Sequence, residues 1–352
     1  MPDFFMNTDK IYTIAVIPGD GIGKEVMPEA LKTLRAVSDK FGYNFAYNEL
    51  LVGKDAYEKH GEYLPQSVIA ECKSSDAILL GATGVSVETG RELILTIREE
   101  FKFFSNLRPV VSLMKGDQQF DFLIVRELAG GIYFGKREEA DYRGLSENVF
   151  AKDGCAYSVS EITRIARVAF SLAQKRRKHV TSVDKANVLA TSRLWRKVVD
   201  DVAKEFQDVS HAHMFIDNAA MQIIKNPAQF DVLLTDNLFG DILSDEAAGI
   251  VGSLGLMPSS SMNEFGFALY EPVHGSAPDI AGKGVANPIG MILSSVMMLR
   301  HSFNLEAGAS LIEESARSVI MDGYGTLDMM PAKIVGTEEI GDMIAQKIFN
   351  IS

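Results

Sequence analysis

Cysteine is nearly absent from this chain: Cys72 and Cys155 are its only two. Two thiols make no disulfide framework and no cysteine-built zinc site, and they fit a reducing compartment. Positive charge is also in deficit, with 35 Lys and Arg against 47 Asp and Glu, a formal net charge of −12. That balance argues against a nucleic-acid binder as a whole. It does not exclude an acidic substrate, because a local cluster of Arg can dominate a pocket. Long apolar runs are missing: none reaches the roughly 18 residues of a membrane span. The first residues, Met1 to Lys10, are polar and lack the apolar core of a signal peptide. A cytoplasmic location with no membrane and no nucleic-acid partner is the expectation. Internal repeats and low-complexity tracts are absent as well. What remains is ordinary globular composition, 47% hydrophobic and 23% charged over 352 residues. This is enough for two domains or one large α/β unit.

One stretch concentrates chemistry: Asp236-Asn237-Leu238-Phe239-Gly240-Asp241-Ile242-Leu243-Ser244-Asp245-Glu246. Leu238, Phe239, Ile242 and Leu243 suit a half-buried helix. Asp241 and Asp245 stand at i and i+4, so on a helix they share one face. Like charges there repel unless a cation lies between them. Hard oxygen ligands suit Mg²⁺ or Mn²⁺. Spacing alone leaves two readings open, a metal site and a solvated helix face.

Apolar runs alternate with helical patterns along the chain. Ile11 to Pro18 reads as a buried strand, followed by Gly19-Asp20-Gly21-Ile22-Gly23 and a helix from Glu25 to about Lys40. Strand, glycine turn and helix can cradle a phosphate. The dinucleotide fingerprint G-x-G-x-x-G fails here, because position 24 is Lys24. Further strands are read at Ser75 to Gly81, Phe122 to Val125, Val180 to Asp184, His211 to Ile216 and Phe230 to Thr235. Thr89 to Phe104 reads as a helix that Asn106-Leu107-Arg108-Pro109 closes. The alternation predicts a largely parallel sheet with helices on both faces. Ligands then lie at strand C-termini, where Arg126, Asp217 and Asp236 fall. Arg98, Arg108 and Arg126 are each ordinary surface arginines unless they meet, in which case they form a carboxylate clamp. Lys185 alone reads as a snorkelling lysine. Gly249 to Ser261 looks like a crossing between domains. The long loop from Pro272 to Pro288 is rich in small residues that permit close backbone approach to a ligand.

Six motifs stand in order: Ile-Pro-Gly-Asp-Gly-Ile-Gly, Asn-Leu-Arg-Pro, Arg-Glu-Leu-Ala-Gly-Gly-Ile-Tyr-Phe-Gly, Val-Asp-Lys-Ala-Asn-Val-Leu, Gly-Asp-Ile-Leu-Ser-Asp-Glu-Ala and Glu-Pro-Val-His-Gly-Ser-Ala-Pro-Asp-Ile-Ala-Gly-Lys-Gly. Together they resemble the isocitrate/isopropylmalate dehydrogenase family of β-decarboxylating 2-hydroxyacid dehydrogenases. The resemblance implies an α/β fold of two domains with mixed sheets flanked by helices and NAD bound without a Rossmann unit. One domain joins residues 1–100 to 255–352 and the other spans 101–254. It implies a homodimer with shared active sites and an arm at about residues 136–157.

The same resemblance assigns roles. Arg98, Arg108 and Arg126 bind the substrate's carboxylates, and Ile94 and Leu95 face its side chain. Asp241 and Asp245 hold Mg²⁺ or Mn²⁺ together with Asp217 from the second chain. Lys185, also from that chain, works with Asp217 in taking the hydroxyl proton. Tyr133 is the acid of the later step. Glu271, His274, Gly275, Ser276, Ala277, Asp279, Ile280 and Asn287, with Asn187, contact NAD. An acid at Asp279 binds ribose hydroxyls and repels a 2′-phosphate, so NAD rather than NADP is expected. The apolar pair Ile94 and Leu95 points to an isopropyl side chain, and so to NAD-dependent oxidative decarboxylation of 3-isopropylmalate. The segment Ala82 to Leu93 departs from the family pattern: Arg91 stands where relatives carry Glu, with Glu88 and Glu92 as substitutes. Malate or tartrate analogues, homoisocitrate and isocitrate therefore stay open as substrates. An idle regulatory member of the family is the alternative of another class. It is opposed by the presence of Tyr133, Lys185, Asp217, Asp241 and Asp245.

Overall fold

The computed structural model describes residues 10–84, 93–114, 119–144 and 146–351. The fold is α/β. The chain divides into two compact units, one of Met1–Phe101, Ser112–Asp117 and Val251–Ser352, the other of Lys102–Val111 and Gln118–Ile250.

In the first unit the strands Asn44–Glu49, Ile11–Gly19, Ala77–Ala82, Ala268–Pro272 and Pro258–Met262 lie side by side in that order. The first four run parallel and the last antiparallel to its neighbour. Ala77–Ala82 is buried along its whole length, as a central parallel strand covered on both faces must be. The helix Gly23–Phe41 packs against Thr337–Asn350 and Ile289–His301. Ile289–His301 has no polar face: everything from Ile289 to Leu299 is buried. It is an internal helix, and its methionines are core residues.

In the second unit the order is Ser105–Val111, Asp121–Glu127, Val232–Thr235, His179–Asp184 and Ser210–Phe215. Ser105–Val111 pairs antiparallel with Asp121–Glu127, and the other pairings are parallel. Parallel register therefore brings the C-terminal ends of four strands, with Arg126, Lys185, Ile216 and Asp236, to one edge. Behind the sheet, Val159–Gln174 starts with a capping box of Ser158 and Glu161 and buries Ile162, Ile165, Ala166, Ala169, Phe170 and Ala173, one helical stripe.

Two readings of the sequence are corrected. The helix expected over Thr89 to Phe104 is Leu93–Glu100 within the described residues; residues 89–92 lie outside them. Asn106-Leu107-Arg108-Pro109 does not close that helix. It forms the middle of the Ser105–Val111 strand, because pairing with Asp121–Glu127 outweighs the stop signal of Pro109. Gly249 to Ser261 does contain a crossing between the two units, at Ile250 and Val251. The acidic helix runs on to Val251, and Pro258–Met262 is a strand. The polar stretch between residues 136 and 157 forms a small antiparallel pair, Arg137–Glu138 with Lys152–Asp153, and leaves Tyr142 and Phe150 exposed.

Candidate active site

The second unit contributes a corner built on Arg126. This side chain is the last but one of the Asp121–Glu127 strand and is only 1% exposed. A buried guanidinium must find acceptors for its donors. Nε and Nη2 donate to Asn237 Oδ1 at 3.1 and 2.7 Å, and Nη1 donates to Asp241 Oδ1. The ring of Tyr133 lies 5.4 Å from the Arg126 guanidinium carbon. The Tyr133 hydroxyl donates to Asp241 Oδ2 at 2.5 Å. Arg108, one strand over, donates to Asn106 Oδ1 at 2.7 Å and to Ser244 Oγ. Its Nη1 also lies 3.5 Å from Asp241 and 3.9 Å from Asp245.

The helix Asn237–Val251 carries both carboxylates on one face, as the i, i+4 spacing requires. It comes this close to Arg126 because residue 240 is glycine. A Cβ there would lie 2.3 Å from Thr235 Oγ1 and 2.7 Å from Arg126 Cγ. Burial pushes the Asp245 carboxyl up, with Arg108 pulling it down and Asp241 pushing it up again. The two acids are thus a strained pair of like charges, relieved here by Arg108 and Arg126. Their donor set is carboxylate oxygen alone, which fits a hard divalent cation and not a soft one. The flanking acids behave differently. Asp236 Oδ1 accepts the Phe239 N–H at 2.8 Å, and burial pushes the Asp236 carboxyl up to about 6. Glu246 Oε2 is buried without a partner.

Lys185 and Asp217 form a separate pair. Lys185 follows the His179–Asp184 strand, and Asp217 lies in the first turn of the Ile216–Lys225 helix, not at the end of the strand before it. Lys185 Nζ and Asp217 Oδ1 are 2.8 Å apart. The hydrogen bond from Lys185 holds the Asp217 carboxyl below its usual range. Asp217 is 68% exposed, and Met221 and Ile224, one and two turns along the same helix face, are exposed too. Asn187 sits nearby in an exposed turn. Among the described residues, Asp217, Asp241 and Asp245 do not gather into one tight group within a single chain.

The first unit holds the remaining predicted residues. Arg98 is buried on the Leu93–Glu100 helix. Its Nη2 lies 3.3 Å from Glu271 Oε1, and its Nε is buried without a partner. Ile94 is buried and Leu95 half-buried. Residues 85–92, including Glu88, Arg91 and Glu92, lie outside the described residues.

The loop after Pro272 is tied to the glycine turn. Ile22 N–H donates to Ser276 O at 2.9 Å, and a Cβ on Gly21 would overlap that oxygen at 1.9 Å. Only glycine lets these two backbones meet. Glu25 accepts Gly282 N–H and Gly284 N–H at 2.5 and 2.9 Å, fixing the far side of the loop. Ala277 adopts φ +38°. Asp279 is exposed. Asn287 is committed to its own fold: its amide donates to Asp328 at 3.1 Å and its oxygen accepts Ile289 N–H at 3.1 Å. His274 is buried, which pulls its imidazole pKa down, and its Nε2 has no partner. A pre-shaped loop with an orphaned ring nitrogen and exposed Gly275 and Asp279 fits a polar cofactor. The Gly-rich turn itself borders a different cavity of ≈ 330 Å³, lined by Pro18, Gly19, Lys24, Met27, Leu31 and Val52 among others. None of the predicted site residues lines it.

Sequence reasoning missed Asn106, Asn237 and Ser244, which hold the arginines, and Glu25, which holds the loop. Only Glu25 had a local signal, an acid at a helix start facing a glycine-rich segment.

The isocitrate/isopropylmalate dehydrogenase family model matches residues 13–344. A 3-isopropylmalate dehydrogenase of Mannheimia succiniciproducens is 49% identical, covering 96% of this chain and 99% of its own length. One from Haemophilus influenzae is equally similar over the same shares. Among solved structures, isocitrate dehydrogenase from Methylococcus capsulatus superposes with a TM-score of 0.88 at 35% identity, covering 96% of this chain and 99% of that one. A beta-decarboxylating dehydrogenase from Thermococcus kodakarensis gives 0.82 at 39%, covering 96% of each. Similarity of this extent, laid over the arginine, tyrosine and carboxylate corner, makes the chain a dehydrogenase that belongs to the isocitrate/isopropylmalate dehydrogenase family.

Proposed function

We propose that the protein oxidises and decarboxylates 3-isopropylmalate to 4-methyl-2-oxopentanoate and CO₂ with NAD⁺ as acceptor, a step of leucine biosynthesis in the cytoplasm. The observation that carries this reading is the near full-length identity to curated 3-isopropylmalate dehydrogenases. The apolar Ile94, one turn from Arg98 on the same helix face, agrees with it. A charged substrate arm against Ile94 would be buried without a partner.

In this reading Arg98, Arg108 and Arg126 take the substrate's carboxylates, Arg126 exchanging its contact with Asp241 for them. Asp241 and Asp245, with Asp217 of the partner subunit, hold Mg²⁺ or Mn²⁺. The bound cation supplies Lewis-acid stabilisation of negative charge on the C2 oxygen. The residues that would hold NAD⁺, the hydride acceptor, are those of the His274 to Ile280 loop, with Asp279 for the ribose hydroxyls, Glu271, Asn287 and Asn187 of the partner subunit. Lys185 of the partner subunit removes the hydroxyl proton, and its pairing with Asp217 aims the amine. With the cation and NAD⁺ both bound, C2 would give up its hydride and the resulting β-keto acid would lose CO₂. Tyr133 then delivers a proton to the carbon left behind.

The surface of the second unit supports a homodimer. Val188, Phe215, Met221, Ile224 and Ile242 are large exposed apolar residues on or beside the elements that carry Lys185, Asp217 and Asp241. A second copy, reached also by the arm at 136–157, covers them.

NADH production with Mn²⁺ is to be measured on 3-isopropylmalate, homoisocitrate, isocitrate and D-malate. The highest kcat/KM is expected for 3-isopropylmalate, and any other ranking refutes the substrate. Asp279→Lys with Ile280→Tyr should raise NADP⁺ use; no rise refutes the placement of the cofactor loop.

A further inference from the structure

Two histidines and a carboxylate meet at the outer strand of the second unit, none of them given a role above. His211 and His213 are two apart on the Ser210–Phe215 strand and so project from one face. Asp200, from the Ala190–Ala203 helix, faces them. Its Oδ1 lies 3.0 Å from His211 Nε2 and 2.9 Å from His213 Nε2. One ligand atom from each residue falls within 4.8 Å of the others.

A second observation concerns the other side of the His213 ring. Its Nδ1 is buried without a hydrogen-bond partner and lies 3.9 Å from Asp184 Oδ2. To donate to Asp200, Nε2 must carry the proton, which leaves Nδ1 as a lone pair turned towards a carboxylate. An ion on Nε2 reverses this. The proton then sits on Nδ1 and faces an acceptor, the carboxylate–histidine–metal arrangement that orients ligating imidazoles.

We propose that Asp200, His211 and His213 form a second metal site, for a borderline transition ion such as Zn²⁺, backed by Asp184. Two imidazoles and one carboxylate suit Zn²⁺ and disfavour Mg²⁺, which takes oxygen. Bonds of about 2.0–2.1 Å in a tetrahedron set ligands roughly 3.3 Å apart. The two separations from Asp200, 2.9 and 3.0 Å, need to open by only a few tenths of an ångström, and the two imidazole nitrogens lie within 4.8 Å of each other. Asp200 is 48% exposed, so water reaches the fourth position. The ion would clip the Ala190–Ala203 helix to the strand that runs directly into the helix carrying Asp217.

The test is calorimetric titration of Zn²⁺ into the full-length, metal-stripped protein with Mg²⁺ held in excess, so that Asp241 and Asp245 do not compete. Wild type is expected to bind one Zn²⁺ per chain. His211→Gln and Asp200→Asn, both at partly exposed positions, should each weaken it at least 10-fold. Asp241→Asn should leave it unchanged. Co²⁺ in place of Zn²⁺ should give the intense visible absorption of a tetrahedral site, lost in His211→Gln. If wild type and His211→Gln bind Zn²⁺ alike, or if Asp241→Asn is the variant that loses it, the site does not exist.

Discussion

The corner at Arg126 and the pair at Lys185 are both charged contacts at the C-terminal edge of one sheet, yet they are built differently. Arg126 is 1% exposed and satisfied by Asn237 and Asp241, and Arg108 is buried beside it. Lys185 and Asp217 are joined at 2.8 Å, but Asp217 stands in solvent on a helix face it shares with Met221 and Ile224. The first arrangement is complete within one chain, since a buried guanidinium cannot be left unpaired. The second gains little from its ion pair, because an exposed pair contributes about 0–1 kcal/mol. What the exposed pair preserves is chemistry, an amine and a carboxylate held together on an exposed, partly apolar helix face. The corner is therefore expected to answer to mutation through both fold and activity, and the pair through activity alone.

The largest effect is expected at Asp241. Asp241→Asn keeps an acceptor for Arg126, presents an amide donor to the Tyr133 oxygen, and removes the charge that a divalent cation needs. Turnover of 3-isopropylmalate should fall on the order of 10³-fold or more. The circular dichroism spectrum and the sedimentation coefficient should stay as in wild type. Retained turnover would remove the metal role from this helix.

Next comes Lys185→Gln. Loss of a general base lowers kcat by about 10²–10⁴-fold, whereas the thermal midpoint should barely move. A mixing experiment sharpens the contrast. Asp241→Asn and Lys185→Gln proteins, each inactive, are unfolded together and refolded. If the site takes Asp241 from one subunit and Lys185 from the other, half of the sites in mixed dimers are intact, and roughly a quarter of the wild-type rate returns. If no activity returns, the two residues act within one chain, and the exposed pair is only a surface ion pair.

A smaller effect, on stability, is expected at Gly240. A methyl there meets Thr235 Oγ1 and the stem of Arg126. Overpacking of this kind costs about 1–3 kcal/mol. Gly240→Ala should lower the urea midpoint and, by displacing Arg126, raise KM for substrate more than it lowers kcat. An unchanged midpoint would mean that the helix has room to shift.

Much of this arrangement was legible in the sequence where a local rule governs it. The i, i+4 spacing of Asp241 and Asp245 placed them on one face, and alternating apolar runs gave the parallel strands that deliver Arg126 and Lys185. Legibility failed where distant segments decide. Pro109 reads as a stop, but the partner strand at Asp121–Glu127 makes it part of a sheet. Nothing near Asn237 or Ser244 announces that they receive Arg126 and Arg108, because those contacts span more than a hundred residues. The role of Gly240 is invisible without the arginine it admits. His211 and His213 show a strand-face spacing, but Asp200 lies on another element, and only the fold brings it opposite.

The smallest effect tests whether burial, and not pairing, sets the character of the corner. Glu127 follows Arg126 in the same strand and is fully buried, accepting the Ala129 and Gly130 N–H groups at 2.9 and 2.8 Å. Burial pushes its carboxyl up to about 7, against the pull of those hydrogen bonds and of Arg164. The folded pKa lies above the unfolded value of 4.5, so between these limits the folded chain holds a proton that the unfolded chain has lost. Its contribution to stability is whole below pH 4.5 and is lost as pH rises through about 7. Wild type should therefore lose a few degrees of thermal midpoint between pH 5 and 8 relative to Glu127→Gln, which carries no titrating proton. Parallel pH profiles for the two proteins would show that the two backbone donors and Arg164 already offset the cost of burying the charge. The corner would then be governed by its partners, as the exposed pair is, and the distinction between the two would rest on solvent access alone.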